Sequence, residues 1–137
     1  MIRALEEKDL SQCLELLKEL TVVGEVPNFI EIFKQIKNNK IHHIFVYELE
    51  DKIVGMATLF VEQKFIHSGK CVGHIEDVVV SEKYRGMGIG KLLVEKCVQL
   101  AKENNCYKVI LDCDDKNVPF YSKLGFSKFG NSMKIAF

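Results

Sequence analysis

The sequence predicts a single mixed α/β domain, and three observations lead there. Hydrophobic spacing changes from helical to strand-like near His43 and returns to helical after the glycines at 86–90. Between those points lie three runs rich in β-branched and aromatic residues, separated by short polar links. A strand, a glycine loop, an amphipathic helix and a further apolar strand then follow, the order that a parallel βαβ crossover requires. With 137 residues, 47% of them hydrophobic, the chain is long enough for one real core.

The elements can be justified in order. A first helix begins at Asp9, whose carboxylate suits an N-cap with Gln12 three residues on. It carries Leu10, Cys13, Leu14, Leu17 and Leu20 at helical spacing and ends before Thr21-Val22-Val23-Gly24. Pro27 and Asn28 open a second helix with Glu31 in its first turn and an apolar stripe of Phe29, Ile32, Phe33 and Ile36; Asn38-Asn39-Lys40 stops it. Ile44–Leu49, Ile53–Phe65 and Cys71–Val80 read as strands. Glu50-Asp51-Lys52 and His67-Ser68-Gly69-Lys70 are links short enough for antiparallel hairpins. Lys91 to Asn105 reads as a helix with Leu92, Leu93, Cys97, Leu100 and Ala101 on one face, and Tyr107 to Cys113 as a buried strand. A short helix from Asn117 through Leu124 ends at Gly125, and a last strand runs from Phe126 toward Phe137.

Charge narrows the function. Nineteen Lys plus Arg balance nineteen Asp plus Glu, for a net charge of zero and a pI near 6.9, so no global field draws the protein to nucleic acid or to an anionic membrane. No apolar run approaches the roughly 20 residues of a membrane span, and Met1 to Glu7 carries acids where a signal peptide needs a basic start. A cytoplasmic location is expected. Cys13, Cys71, Cys97, Cys106 and Cys113 contain no CxxC pair and read as reduced, mostly buried thiols. His42, His43, His67 and His74 form no HExxH pattern, so no metal site is expected.

The most informative stretch is Arg85-Gly86-Met87-Gly88-Ile89-Gly90. Alternate glycines between a strand and a helix let backbone N–H groups turn toward an anion at the positive helix end, which suits a phosphate-bearing cofactor. The loop lacks the GxxxxGK of a Walker motif and the spacing of the dinucleotide GxGxxG.

Arg85-x-x-Gly88-x-Gly90, placed after an apolar strand and before an amphipathic helix, resembles the acetyl-CoA motif of the GNAT N-acetyltransferase superfamily, and the element order agrees along nearly the whole chain. The resemblance implies a twisted mixed sheet, mostly antiparallel, flanked by helices, with central strands splayed at the acetyl-CoA site. Arg85, Gly86, Met87, Gly88, Ile89, Gly90 and Lys91 would hold the CoA pyrophosphate, and Val78, Val79 and Val80 would line the pantetheine arm. Three further blocks resemble the glucosamine-6-phosphate N-acetyltransferase branch: Gly73-His-Ile-Glu-Asp-Val-Val-Val80, Cys106-Tyr-Lys-Val-Ile-Leu-Asp-Cys113, and Asn117-Val-Pro-Phe-Tyr121 with Gly125-Phe126. That branch implies direct acetyl transfer to the 2-amino group of D-glucosamine 6-phosphate, on the route to UDP-N-acetylglucosamine. It also implies a homodimer with its active site at the subunit boundary and its last strand joining the protomers.

Acetyl transfer to an amine needs a neutral nucleophile, stabilisation of an oxyanion and a proton for the leaving thiolate. By resemblance, Tyr121 stabilises or protonates the thiolate, and Asp112 orients the amine or accepts its proton. Glu76 and Asp77 meet substrate hydroxyls and amine, although strict strand alternation would point them to opposite faces unless a bulge intervenes. Thr21, Lys64 and His67 stand where the family contacts the sugar phosphate, Tyr107 and Lys108 act from the second subunit, and Asn117 meets the CoA side. One departure is visible. The branch carries an arginine against the phosphate where this chain has Ala136, with Lys134 on the same strand face. Acetylation of another amine, such as a polyamine or a protein lysine, and an acetyl-CoA-binding module without activity are the alternatives.

Overall fold

The computed structural model describes Met1–Phe137 and begins with an element that the sequence pattern does not reveal. Strand β1 (Ile2–Ala4) pairs antiparallel with β2 (His42–Leu49), which pairs antiparallel with β3 (Lys52–Gln63). At three residues β1 is too short to show a period. Arg3 explains its place. It donates to both oxygens of Asp9, at 2.7 and 2.9 Å, and to Glu48 on β2 at 2.9 Å.

That cluster also corrects the expectation for Asp9. The carboxylate makes no cap bond to helix α1 (Leu10–Leu17). It lies behind a 3-10 turn, Glu7–Asp9, 2% exposed, and takes the Arg3 guanidinium and the Glu6 amide instead. A bidentate guanidinium is the stronger partner for a desolvated carboxylate. Gln12 is equally far from a capping role, since its side-chain oxygen accepts the Ile53 amide of β3 at 3.0 Å. The helix itself stops at Leu17, and turns rather than helix carry the chain to Leu20. Helix α2 (Phe29–Asn38) follows, with Phe33 as its buried anchor, and Asn28 precedes it without a side-chain cap bond.

β3 and β4 (Cys71–Val80) are joined through a one-turn segment, α3 (Ile66–Gly69), in which His67 and Ser68 take positive φ. They pair antiparallel, and β4 then pairs parallel with β5 (Cys106–Ile110) after crossing through α4 (Ile89–Glu103). The sheet order is therefore β1-β2-β3-β4-β5, and the expected meander and crossover are both present. β5 is shorter than the sequence suggests: its ladder with β4 ends at His74 and Ile110, while β4 runs on to Val80. The two strands part there. Leu111 to Cys113 leave the sheet, and a 3-10 turn (Asp115–Asn117) leads into α5 (Val118–Lys123).

Two apolar layers hold the sheet. On one face Ala57, Leu59, Val61 and Ile75 meet Ile89, Leu93, Val94, Cys97 and Ala101 of α4. Each fully buried leucine there contributes about 2 kcal/mol. Gly55 lets α4 approach, because a Cβ at that position would lie 3.0 Å from both Ile89 and Leu93. On the other face Leu10, Cys13, Leu16 and Phe33 cover Val46, Met56 and Val79. α1 and α2 cover only that half. Farther along β3 and β4 the same face carries Thr58, Phe60, Glu62, His74 and Glu76, which line an open pocket.

The last strand expected from Phe126 toward Phe137 is not formed. A strand needs a ladder partner for its amides, and no backbone hydrogen bond within the chain reaches beyond Phe126. Phe129, Met133, Ile135 and Phe137 are all exposed.

Candidate active site

The glycine loop sits where β4 ends. Glu82–Tyr84 forms a 3-10 turn, the Arg85 Nε donates to the Val80 carbonyl at 3.0 Å, and Gly86 and Gly88 both take positive φ. At φ +80° Gly88 forms the N-cap of α4 in a conformation that costs other residues about 1–2 kcal/mol. The first α4 amide to find a backbone acceptor is that of Leu92, on the Gly88 carbonyl, so those of Ile89, Gly90 and Lys91 are free. Free amides at the positive end of a 15-residue helix suit a pyrophosphate. Gly90 has a further neighbour: a Cβ there would lie 3.3 Å from the Phe120 ring and 3.5 Å from Val80. Loop, β4 end and α5 are thus packed together.

β4 carries the feature that places its acids. Between Thr58↔Glu76 and Met56↔Val79 the register shifts, and Asp77 takes φ 51°, which marks a bulge. Strict alternation would separate Glu76 from Asp77. The extra residue instead leaves both exposed and lining one pocket of about 510 Å3, together with His42, Thr58, Phe60, Glu62 and His74. The bulge also reverses the alternation beyond it. Val78 and Val80 pack toward the α4 layer, and Val79 packs under α1.

A second cavity, of about 1030 Å3, runs beside β5 and α5. It is lined by Glu76, Asp112 and Tyr121 and also by this chain's own Tyr107 and Lys108, which the resemblance assigns to the site of a second subunit. Tyr121 is held edge-on between Phe120, at 4.9 Å, and Phe126, at 5.8 Å. Burial, with the nearby Cys113 thiol as a second cause, pushes its hydroxyl above the ordinary phenol value, so it stays protonated at neutral pH. Cys113 is pushed up by burial and by Asp112, Asp114 and Asp115, which disfavours a thiolate nucleophile. Cys13 and Cys97, raised to about 12 by burial, are core thiols.

The remaining expected residues divide. His67 stacks on Tyr107 with ring centres 3.9 Å apart, and Lys108 lies 5.6 Å from that ring and 4.8 Å from Phe129. These residues gather at the end of the sheet where β4 and β5 begin, away from the glycine loop. Lys64 is committed to Glu62, at 3.1 Å. Thr21 is exposed beyond α1 and lines neither cavity, and Asn117 precedes α5 without reaching the large groove. One link joins the two ends of this architecture: Glu19 accepts the Glu82 amide at 2.8 Å and lies 4.0 Å from Arg85, tying the segment after α1 to the glycine loop.

Sequence reasoning missed His74, Glu62, His42 and Thr58. His74 lines both cavities, and its Nε2 lies 2.9 Å from Glu62. Hydrogen bonds from His74 and Lys64 hold the Glu62 carboxyl below its usual range. The available signal was parity, since His74 is two residues from Glu76 and so shares its face.

Comparison with known proteins matches these features. The model of the acetyltransferase (GNAT) family matches residues 10–126. A glucosamine 6-phosphate N-acetyltransferase of Trypanosoma brucei brucei is 40% identical over 98% of this chain and 93% of its own length. A second, from Dictyostelium discoideum, is 41% identical over 94% of this chain and 83% of its own length. The crystal structure of glucosamine-6-phosphate N-acetyltransferase from Arabidopsis thaliana superposes with a TM-score of 0.96 at 40% identity, covering 100% of this chain and 97% of that one.

Proposed function

This chain belongs to the acetyltransferase (GNAT) family, and from that premise we propose that it transfers the acetyl group of acetyl-CoA to the 2-amino group of D-glucosamine 6-phosphate. The products are N-acetyl-D-glucosamine 6-phosphate and CoA. The observation that carries the reading is the convergence of Glu76, Asp112 and Tyr121 on one cavity, in a chain whose α4 opens with free amides packed against α5.

In this reading the loop from Arg85 to Lys91 holds the pyrophosphate through the amides from Gly86 onward, with Asn117 nearby, and Val78 to Val80 line the pantetheine arm where β4 and β5 part. Glu76, Asp77 and Asp112 position the amine, whose nitrogen attacks the thioester carbon. Tyr121 gives its proton to the leaving sulfur and takes one from the new C–N adduct. No acyl-enzyme forms, in keeping with the disfavoured Cys113 thiolate.

The active assembly is a homodimer, in which Tyr107 and Lys108 serve the partner's site and the C-terminal segment joins the protomers. Support comes from Met133, Ile135 and Phe137, exposed at strand alternation on a segment that finds no ladder within its own chain. Thr21, Lys64 and His67 contact the sugar phosphate, and Lys134 takes the place of the charge absent at Ala136. The product feeds UDP-N-acetylglucosamine synthesis in the cytoplasm.

The test is CoA thiol release from acetyl-CoA with glucosamine 6-phosphate, glucosamine, spermidine or a lysine peptide, with product identified by mass. Release with the phosphorylated sugar alone supports the reading. Preference for another amine overturns the sugar assignment and leaves the family standing.

A further inference from the structure

His74 stands in a row of direct cross-strand neighbours, His42↔Phe60, Phe60↔His74 and His74↔Ile110, on the sheet face that α1 and α2 leave open. Phe60 meets both imidazoles edge-on, 5.9 Å from His42 and 6.4 Å from His74, and so fixes the plane of each ring. His74 shares its face with Glu76 two residues on, and both border the small pocket and the large cavity. It is therefore part of the wall between the two spaces in which an amine would be held.

The hydrogen bond to Glu62 fixes which ring nitrogen faces the carboxylate. Glu62 is kept ionised by His74 and Lys64, and an ionised carboxylate can only accept. Nε2 of His74 is thus the donor in the 2.9 Å contact, and Nδ1 has no partner within the chain. A carboxylate bonded to one nitrogen of an imidazole at the edge of a cleft is the arrangement that stabilises an imidazolium once a proton arrives. The charged and titratable groups on the surrounding elements are Glu62 and Lys64 from the end of β3, His42 from β2, Glu76 and Asp77 from β4, and Lys108 from β5. Carboxylates predominate around the small pocket, which favours a bound ammonium.

An amine that arrives as an ammonium has no lone pair for attack, and one proton must leave before the C–N bond forms. We propose that His74, held by Glu62, is the acceptor of that proton, an inference that rests on the acetyl-transfer reading above. The ammonium N–H proton passes to Nδ1, giving the neutral amine and an imidazolium paired with Glu62, and the imidazolium returns the proton to solvent. The amine then attacks the thioester carbon, the C–S bond breaks, and Tyr121 exchanges its proton as described. The overall yield is amide, CoA thiol and one released proton. Glu62 is a positioning residue in this scheme.

The experiment compares wild type, H74Q and E62Q in acetyl transfer from acetyl-CoA to glucosamine 6-phosphate between pH 6 and 9, with the acetyl-CoA dissociation constant as a check on folding. The expected H74Q defect in kcat/KM for the sugar is about 10²-fold at pH 6.5. It shrinks toward pH 9, where the amine arrives neutral and needs no acceptor. E62Q shows a smaller loss with the same pH trend, and carries the test should H74Q fail to fold. A defect equal at every pH, or none, overturns the role of His74 while leaving the transferase reading intact. A wild type inactive with this sugar overturns that reading first.

Discussion

Two clusters in this molecule use the same chemistry for different ends. Arg3, Asp9 and Glu48 tie β1, the turn before α1 and β2 together, and the Asp9 side chain is only 3% exposed. Lys64, Glu62 and His74 lie across the ends of β3 and β4 with 33%, 40% and 30% of their side chains open. The first cluster is fully paired and lines neither the small pocket nor the large cavity, so its charge serves to hold chain segments in place. The second borders the pocket that Glu76 and Asp77 line, and one imidazole nitrogen is unpaired. Burial separates a structural ion pair from a reactive one, because only the open cluster can exchange partners with substrate and solvent.

The largest expected effect comes from breaking the closed cluster. Asp9→Asn removes the desolvated carboxylate that Arg3 grips, leaving the guanidinium with Glu48 alone, and should cost about 3 kcal/mol of stability in urea unfolding. The contrast is Glu62→Gln, expected to cost far less because the pair it breaks is largely solvated. Comparable losses at both positions would remove the distinction between the clusters.

Next in size is Tyr121→Phe. Loss of the proton donor should lower kcat on the order of 10²-fold while the acetyl-CoA dissociation constant changes little, since the ring keeps its packing against Phe120 and Phe126. Equal turnover in a folded variant would assign the acid role elsewhere. Gly88→Ala is milder. The positive φ strains any Cβ by about 1–2 kcal/mol, so acetyl-CoA should bind roughly tenfold more weakly, by calorimetry, with turnover at saturation largely kept.

The smallest effect tests a buried imidazole outside both clusters. Burial, then His42, lowers the pKa of His43 below its ordinary 6.5, and its Nε2 is buried without a partner. The folded state therefore binds fewer protons than the unfolded chain. The stabilisation from the neutral ring is complete above the unfolded value and falls away as pH drops through 6.5 toward the folded value. Thermal unfolding should show a loss of stability below pH 6.5 that His43→Leu removes.

Much of the fold was legible along the chain. The stripe of Phe29 and Phe33, the β-branched runs of β2 to β4 and the glycines before α4 each show their period or turn chemistry within a few residues. β1 was not legible, because three residues carry no period and its place depends on Arg3 meeting acids at positions 9 and 48. Asp9 was misread for the same reason: capping is a local rule, and a distant guanidinium won. The C-terminal alternation is real, yet a strand there needs a ladder partner that this chain does not itself supply.

The candidate site shows the same division. Residue type and spacing mark Arg85-x-x-Gly88-x-Gly90 as a candidate anion loop, whereas Glu76, Asp112 and Tyr121 are singled out by the resemblance of their blocks to the family. Folding decided which of them meet. The bulge at Asp77 put two adjacent carboxylates into one pocket, the parting of β4 from β5 opened the cleft, and cross-strand register set His74 against Glu62. The reason is physical. Helix period, turn and loop chemistry depend on neighbours along the chain, whereas register and ionic pairing depend on neighbours that only packing brings together.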